Sequence, residues 1–191
     1  MNKTTVGIVN WNSGPLLQVC IESLLAEPNV DICVVDNNST DGSADFLDAF
    51  PGKVQCIKKN TNAGFAAGCN TVLQATTTAY VLLLNPDVQV LPGSIQMMEE
   101  FMDSHASVAA LGGYVGDKYL PRKLPTPYSL IRENLGFPVG AVYDRASFVD
   151  SGKNARSQTA PTIVEQVAAA AVMIRRSVFD DGVKFDEAFY P

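Results

Sequence analysis

The sequence predicts an α/β domain in which helices cover both faces of a mostly parallel sheet. Strand-like and helix-like patterns alternate four times within residues 5–104, which is the signature of a parallel sheet. The fourth strand is an unbroken apolar run, as expected of a strand buried on both faces. With 191 residues, 47% of them hydrophobic, the chain is long enough to bury a sizeable core.

The first strand and helix are predicted from a short apolar run and the residues that follow it. Residues 5–9 are the apolar run, and Ser13 and Pro15 then supply a helix cap and a first-turn residue. Leucine, isoleucine and cysteine recur at helical spacing over residues 16–25. The order strand, turn, helix follows directly from this pattern.

Three more strand–helix pairs follow. The predicted strands are residues 31–35, 53–58 and 79–84. The predicted helices are a short one through Phe46 and Leu47 that stops at Pro51, and longer ones over residues 62–75 and 92–104. After residue 104 the pattern becomes irregular. Residues 107–115 and 164–175 are predicted strands, and between them residues 116–161 carry five prolines, which favours a long functional loop or a partly mobile segment.

Composition and charge exclude several classes of protein. A net charge of -6 gives no general attraction for phosphate polymers, so we expect no nucleic-acid partner. The longest apolar stretch, residues 167–174, is far shorter than the roughly 18 residues that cross a bilayer. The N-terminus runs directly into a strand pattern, so we expect no secretory signal and a cytoplasmic protein, with peripheral membrane association left open.

Cysteine and histidine usage excludes zinc and Ser-His-Asp chemistry. The four cysteines are widely spaced without a Cys-x-x-Cys pair, and His105 is the only histidine. We expect the cysteines to be buried free thiols and His105 to lie in solvent or cap a helix. Any metal would therefore have oxygen ligands, which means Mg or Mn.

Polar residues follow strands one, two and four, where an open parallel sheet binds ligands. Asn10, Trp11 and Asn12 follow strand one, and Asp36 follows strand two. The Asp36 carboxylate suits the paired hydrogen bonds of a ribose diol or a base N–H, although its neighbours also favour a plain turn. We expect Ser39, Thr40 and Asp41 mainly to cap the following turn.

Asn85-Pro86-Asp87 follows strand four. The proline restricts the backbone, so Asp87 is held just outside the sheet. A single fixed carboxylate suits a hard divalent ion that takes its other ligands from water and phosphate, and the alternative is an ordinary turn. In residues 60–70, Asn62 and Gly64 are candidates for ligand contact, whereas Gly68 fits close helix packing.

These motifs, taken in order and spacing, resemble family 2 glycosyltransferases, especially the rhamnosyltransferase-like members. The segments that carry the resemblance are Val9-Asn10-Trp11-Asn12, Val35-Asp36-Asn37-Asn38-Ser39-Thr40-Asp41-Gly42, Asn60-x-Asn62-x-Gly64-Phe65-x-x-Gly68-x-Asn70 and Leu84-Asn85-Pro86-Asp87. Residues 171–176, followed by Phe185-Asp186-Glu187-x-Phe189, are similar to the part that precedes the catalytic acid of the family.

The resemblance implies a Rossmann-like GT-A fold and transfer of a sugar from a nucleotide-diphosphate sugar to an acceptor hydroxyl, with inversion. It implies a role in polysaccharide or cell-surface glycan synthesis, with a glycan or lipid-linked glycan as acceptor. Residues 1–104 would form the nucleotide-sugar half of a single domain and residues 105–191 the acceptor half. The implied donor-site residues are Val9, Asn10, Trp11, Asp36, Asn38, Asn62, Gly64 and Asn85, with Asp87 holding Mg or Mn.

The resemblance assigns no catalytic base to this chain. In the family the base follows the segment that is similar to residues 185–189, so we expect it beyond Pro191 and the catalytic domain to be incomplete. A nucleotide-sugar-binding fragment without activity therefore stays an alternative. A sugar nucleotidylyltransferase is a third, although residues 10–15 lack the basic residues that its phosphate loop needs.

Overall fold

The structure is a computed structural model that describes residues 2–113, 170–180 and 182–189. The regular elements, in chain order, are β1 (Thr4–Asn10), α1 (Leu16–Leu25), β2 (Val30–Asp36), β3 (Val54–Lys58), α2 (Gly64–Ala75), β4 (Tyr80–Leu84), α3 (Ser94–Ser104), β5 (Ala110–Gly112) and β6 (Ala171–Arg175). Short 3₁₀ helices occupy Asp45–Ala49, Arg176–Phe179 and Glu187–Phe189. The helix predicted between strands two and three is the first of these 3₁₀ helices.

The six strands form one sheet in the order β3-β2-β1-β4-β6-β5. β3, β2, β1 and β4 run parallel, and β6 is antiparallel to both of its neighbours, β4 and β5. The predicted mostly parallel sheet is therefore confirmed. β4 is buried along its whole length because it lies in the middle of the sheet, which explains its unbroken apolar sequence.

Helices lie on both faces of the sheet, as predicted. The side chains of successive strand residues point to opposite faces, so Thr4 and Gly7 of β1 face different helices. The Thr4 hydroxyl donates a hydrogen bond to Glu99 of α3, whereas Gly7 lies against Val72 of α2. Helix α1 contacts the segment that leads into α3, where the Ser23 hydroxyl accepts a hydrogen bond from the Val90 N–H at 3.0 Å.

Two consecutive arginines, the last residue of β6 and the residue after it, bind the ends of helices on opposite faces. Arg175 donates to the Met102 carbonyl in the last turn of α3, at 2.8 Å. Arg176 donates to the carbonyls of Leu73 and Thr76 at the end of α2. The last carbonyls of a helix lack partners within it and carry partial negative charge, so each guanidinium stabilises one helix end.

Helix α2 approaches β1 closely because glycine and valine face each other twice. A Cβ atom at Gly68 would lie 2.5 Å from Val9 Cγ1, and one at Gly7 would lie 2.4 Å from Val72 Cγ1. Both distances are far below ordinary contact, so neither position has room for a side chain. The packing role predicted for Gly68 is confirmed.

The irregular second half differs from the prediction at two strands. The strand predicted at residues 107–115 forms only over Ala110–Gly112, since the residues before it make a turn. The strand predicted at residues 164–175 is β6 from Ala171 onward, and its earlier part lies outside the described residues. The loop predicted at residues 116–161 also lies outside them. In the part of the chain that is described, no helix has the length and apolar character to cross a membrane.

The glycine–valine contact gives a stability prediction. We expect Gly68→Ala to lower the free energy of unfolding by about 1–3 kcal/mol because the new methyl group overlaps Val9. At an uncrowded helix position the same change would stabilise by up to about 1 kcal/mol. In a Val9→Ala background the loss should therefore shrink or reverse. Urea denaturation of the four proteins in this cycle measures the coupling, and an equal loss in both backgrounds would contradict the account.

Candidate functional site

The carboxyl ends of β1, β2 and β3 align at one edge of the sheet. Asn10 is paired with Asp36, and Asp36 with Lys58, across the three strands. The end of β4 lies beside that of β1, with Leu84 opposite Ile8. The polar residues predicted after strands one, two and four therefore emerge along the same edge, which we call the carboxyl edge.

Asp36 lies inside the protein and is hydrogen-bonded by the chain itself. It is 6% exposed. Its Oδ1 accepts hydrogen bonds from Asn10 Nδ2 at 2.8 Å and from the Ser39 hydroxyl at 2.6 Å, and its Oδ2 accepts one from the Ser39 N–H at 3.2 Å. Oδ1 therefore already accepts two hydrogen bonds, whereas Oδ2 accepts one and can accept another from a ligand. Contact between Asp36 and a ligand stays a prediction.

Asn10 is the centre of this polar cluster. Its side chain is fully buried, and Nδ2 is within hydrogen-bond distance of Asp36, of the Ser39 hydroxyl at 3.1 Å and of the Ser43 hydroxyl at 3.0 Å. Its Oδ1 accepts a hydrogen bond from the Ser13 hydroxyl. The side chain thus joins the end of β1 to the segment after β2, and any contact of Asn10 with a ligand would have to come from its main chain.

The chain after β2 is tied to the chain after β1 by further bonds. Asn12 Oδ1 accepts from the Thr40 N–H at 2.8 Å. Asp41 accepts from the Ser43 N–H and from the Gly14 N–H, and these bonds lower the pKa of the Asp41 carboxyl, those from Ser43 most. Asp41 therefore caps the turn as predicted, whereas Ser39 belongs to the Asp36 cluster.

Trp11 and Asn38 flank the cluster on its solvent side. Trp11 is 58% exposed and offers a flat apolar surface at the carboxyl edge. Asn38 is exposed and has a left-handed backbone with φ 62°. Val9, in contrast, is buried against Gly68. Three residues at or just after the end of β1 were predicted to bind the donor: Val9, Asn10 and Trp11. Of these, Trp11 has the most accessible side chain.

Asn37 is a site residue that sequence reasoning missed. It is 2% exposed, its Nδ2 donates to the Gly64 carbonyl at 3.0 Å, and its N–H donates to the Asn10 carbonyl at 2.8 Å. No donor among the described residues reaches its Oδ1. A buried acceptor without a partner is costly, so a donor from a ligand or a water is expected there. The sequence did not indicate this role, because an asparagine that follows Asp36 is equally typical of an ordinary turn.

Asn62 and Gly64, which were predicted to contact a ligand, lie at the start of α2 beside Asn37. Asn62 Oδ1 accepts the Gly64 N–H at 2.9 Å, and Gly64 has φ 88°, a conformation that glycine adopts without strain. The N-cap residue of α2, Ala63, makes no side-chain hydrogen bond, so Asn62 binds only the first N–H of the helix, that of Gly64. The next N–H groups of α2 and the Asn37 oxygen therefore offer donors and an acceptor in one place.

The Asn85-Pro86-Asp87 segment forms a turn that leaves Asp87 at the surface. The Asn85 carbonyl accepts the Val88 N–H at 3.2 Å, and the Asn85 N–H donates to the Ala170 carbonyl at 2.9 Å. Asp87 is exposed, and no hydrogen bond or ion pair holds its carboxylate within the described residues. Cys20 Sγ of α1 lies 3.9 Å from the Asn85 carbonyl oxygen, so the turn lies against α1, and burial and then the negative charge of Asp87 raise the pKa of the Cys20 thiol to about 12.

The fit of a divalent ion rests on Asp87. Residues 2–113, 170–180 and 182–189 contain no group of three or more His, Cys, Asp or Glu side chains that could hold a metal. One exposed carboxylate fits Mg or Mn only when water and ligand phosphate oxygens supply the remaining coordination. The residues therefore fit an ion that arrives with a diphosphate, rather than one bound by the protein alone.

Three of the four thiols and the histidine are placed as predicted, whereas Cys56 is less buried than expected. Cys20, Cys33 and Cys69 are buried free thiols and Cys56 is half-buried. Burial raises the pKa of Cys69 to about 12 and that of Cys33 to about 11, so neither is a thiolate at neutral pH. His105 follows α3, where its ring is exposed and stacks on Phe101.

A groove of about 390 Å³ lies at the other edge of the sheet, where the parallel strands begin. Three of the threonine hydroxyls that line it, those of Thr5, Thr76 and Thr78, are paired within the protein. Thr5 Oγ1 and Thr78 Oγ1 are 2.8 Å apart, and the Thr76 hydroxyl donates to the Val72 carbonyl. The unpartnered acceptor and the accessible carboxylate are both at the carboxyl edge, which is therefore the better candidate for function.

The sequence matches a known protein family over most of its length. Residues 5–182 match the family described as Glycosyl transferase family 2. The chain is 26% identical, over 95% of its length, to the N-acetylglucosaminyl-diphospho-decaprenol L-rhamnosyltransferase of Mycobacterium tuberculosis strain H37Rv, and spans 64% of that protein.

Two solved structures share the fold. The 1–349 portion of S. aureus TarS has a TM-score of 0.65 at 17% identity, covering 99% of this chain and 52% of the other. The mannosyltransferase PcManGT from Pyrobaculum calidifontis, in complex with GDP-Man and Mn2+, has a TM-score of 0.66 at 16% identity, covering 97% of this chain and 48% of the other. The predicted GT-A fold is confirmed. The chain spans about half the length of each of these two solved chains.

The polar cluster gives a second stability prediction. Asn10→Ala removes the Nδ2 donor from the buried Asp36 carboxylate, and we expect a loss of about 2–3 kcal/mol in the free energy of unfolding. Asn12→Gly is the matched control, since this exposed asparagine bonds only to Thr40 through its side chain and has φ 50°, which glycine adopts without strain, so the change should cost about 1 kcal/mol or less. Urea denaturation compares the two. A loss for Asn10→Ala no larger than the control would show that the cluster is not structural.

Proposed function

This chain belongs to glycosyl transferase family 2, and we propose that it binds a nucleotide-diphosphate sugar at the carboxyl edge for transfer of the sugar to an acceptor hydroxyl, with inversion. The observation that carries the proposal is the unpartnered Oδ1 of Asn37, buried beside the start of α2. A nucleotide offers what this place lacks, because its base and ribose carry N–H and O–H donors and its diphosphate is anionic.

The nucleoside would lie along the ends of β1 and β2. Asn37 Oδ1 would accept a hydrogen bond from the base or the ribose, and the exposed indole of Trp11 would cover an apolar face of the nucleoside. Asp36, through its less occupied Oδ2, and Asn38 are further candidates for the ribose. The Asn10 cluster would hold the loop that presents these groups.

The diphosphate would lie between the start of α2 and Asp87. The N-terminal N–H groups of α2, near Asn62 and Gly64, favour negative charge. Asp87, with Asn85 in the same turn, would hold Mg or Mn together with phosphate oxygens. When bound, such an ion stabilises the charge on the departing diphosphate.

The proposal for the acceptor rests on the relatives of this chain, because no described residues are assigned to an acceptor site. The mycobacterial relative is named for a sugar linked to decaprenol diphosphate, so we propose a glycan or lipid-linked glycan acceptor and a role in cell-surface glycan synthesis. Removing the proton of the acceptor hydroxyl requires a base, and we assign none among the described residues. Binding of the donor without transfer is therefore the second candidate function.

Calorimetry with UDP, GDP and dTDP, each with and without Mn, tests the proposal. We expect one nucleoside diphosphate to bind better than the others, with tighter binding in the presence of Mn. Asp87→Asn should remove most of the gain from Mn, a loss of about tenfold in affinity, because the carboxylate would share the ion with the phosphates. Asp31→Asn, the same change at the other edge of the sheet, is the control.

Two results would overturn the proposal. If none of the three nucleotides binds the wild-type chain, the carboxyl edge is not a donor site. If Asp87→Asn binds with the same Mn dependence as Asp31→Asn and wild type, the assignment of the metal to Asp87 is wrong. A second assay distinguishes a chain that transfers the sugar from one that only binds the donor. It measures release of free nucleoside diphosphate from UDP-, GDP- and dTDP-sugars.

A further inference from the structure

Asn70 of α2 uses its whole side-chain amide to hold one distant segment of the chain, residues 182–189. It is 5% exposed. Its Oδ1 accepts the Phe185 N–H at 2.9 Å, and its Nδ2 donates to the Phe185 carbonyl at 2.9 Å and to Glu187 Oε1 at 2.8 Å. These three bonds fix both main-chain groups of Phe185 and the carboxylate of Glu187.

The segment runs along α2 towards the candidate site. It follows Arg176, which is bound to the last carbonyls of α2, and reaches Asn70 in the middle of the helix. Asn70 is six residues after Gly64, so it lies about 9 Å along the axis from the start of α2. The rings of Phe179 and Phe185 contact each other, with centroids 6.0 Å apart, so the segment also packs against the 3₁₀ helix that follows β6.

The segment carries two carboxylates next to the residue that Asn70 holds. Glu187 is held by Asn70, and Asp186 accepts the Ala188 N–H at 2.9 Å, which forms a local turn. Helix α2 therefore carries at its start the groups proposed for the donor and in its middle the bonds that locate an acidic pair. A rigid helix fixes the distance between the two.

We propose that Asn70 is a positioning residue for the transfer reaction: it sets where Asp186 and Glu187 lie relative to the donor at the start of α2. The inference rests on the proposed function. It assigns no proton transfer to Asn70 and does not identify the base. It states that loss of the three bonds releases the segment while the donor site stays intact.

Asn70→Asp tests this with the least change of shape. The oxygen that replaces Nδ2 faces the Phe185 carbonyl and the Glu187 carboxylate, so two donors are lost and like charges meet. We expect amide hydrogen exchange at Phe185 to become at least tenfold faster, with exchange in β1 and β4 unchanged. Adding Glu187→Gln should slow it again, because the new amide donates to Asp at position 70.

The matched control is Thr71→Ala on the same helix. The Thr71 hydroxyl donates to the Ala67 carbonyl at 2.9 Å and makes no bond to the segment. This variant should exchange at Phe185 as wild type does. Unchanged exchange in Asn70→Asp, or equal acceleration in both variants, would overturn the inference.

Binding is measured with the nucleoside diphosphate that binds tightest, and turnover with the corresponding nucleotide sugar. We expect Asn70→Asp to bind it as wild type does and to lower the turnover of the nucleotide sugar about 10- to 100-fold with little change in KM. If the wild-type chain binds without turnover, the test is whether nucleotide and Mn slow exchange at Phe185 in wild type and fail to do so in Asn70→Asp. Unchanged turnover, or no such slowing in wild type, overturns the inference.

The two proposals fail separately. Absence of nucleotide binding to wild type sinks the proposed function, whatever Asn70 does. Wild-type binding, combined with an Asn70→Asp variant that keeps the wild-type turnover or, where wild type does not turn over, keeps the wild-type exchange response to nucleotide, sinks only the role of Asn70. A variant that loses nucleotide affinity and Phe185 protection together has a general folding defect, and that result also contradicts a positioning role.

Discussion

Helix α2 can lie against β1 only because each element presents a glycine to a valine of the other. Gly68 receives Val9, and Gly7 receives Val72, at distances that leave no space for a Cβ atom. This close approach places Gly64 within 3.0 Å of the Asn37 amide and brings Asn70 to the chain at Phe185. The same helix thus completes the carboxyl edge and holds the segment that follows β6. Arg176 binds the last carbonyls of α2 and so stabilises it at the other end.

The last residue of β2 and the residue after it have different tasks. Asn10 and Ser39 bind the buried carboxylate of Asp36, mainly at Oδ1, and this cluster locks the ends of β1 and β2 together. The locked ends hold Asn37, whose Nδ2 is taken by Gly64 and whose Oδ1 is left without a donor within the described residues. Buried polar groups are rarely left unpaired. We therefore infer a structural role for the hydrogen-bonded cluster around Asn10 and a ligand-binding role for Asn37 Oδ1.

The sequence predicted most of this fold because its strands and helices have clear periodicity and its turns have distinctive residues. Prolines and glycines break that periodicity in the second half, so β5 was predicted too long, and the antiparallel direction of β6 could not be read from a short apolar run. The carboxyl edge followed from strand order, but the roles within it did not. Asp36 and Asn37 are both buried, and which of them keeps an oxygen without a donor depends on the partners that Asn10, Ser39 and Gly64 bring from distant parts of the chain. Asn70 likewise acquires its role only through contact with Phe185, 115 residues away.

A crystal structure of this chain with a nucleoside diphosphate and Mn tests the central claim most directly, namely that the carboxyl edge is a donor site. The account predicts that a donor atom of the base or ribose lies within hydrogen-bond distance of Asn37 Oδ1. It also predicts the diphosphate between the start of α2 and Asp87, with Mn bound to the Asp87 carboxylate. A nucleotide in the groove at the other edge of the sheet, or one at the carboxyl edge that leaves Asn37 Oδ1 without a donor, would contradict it.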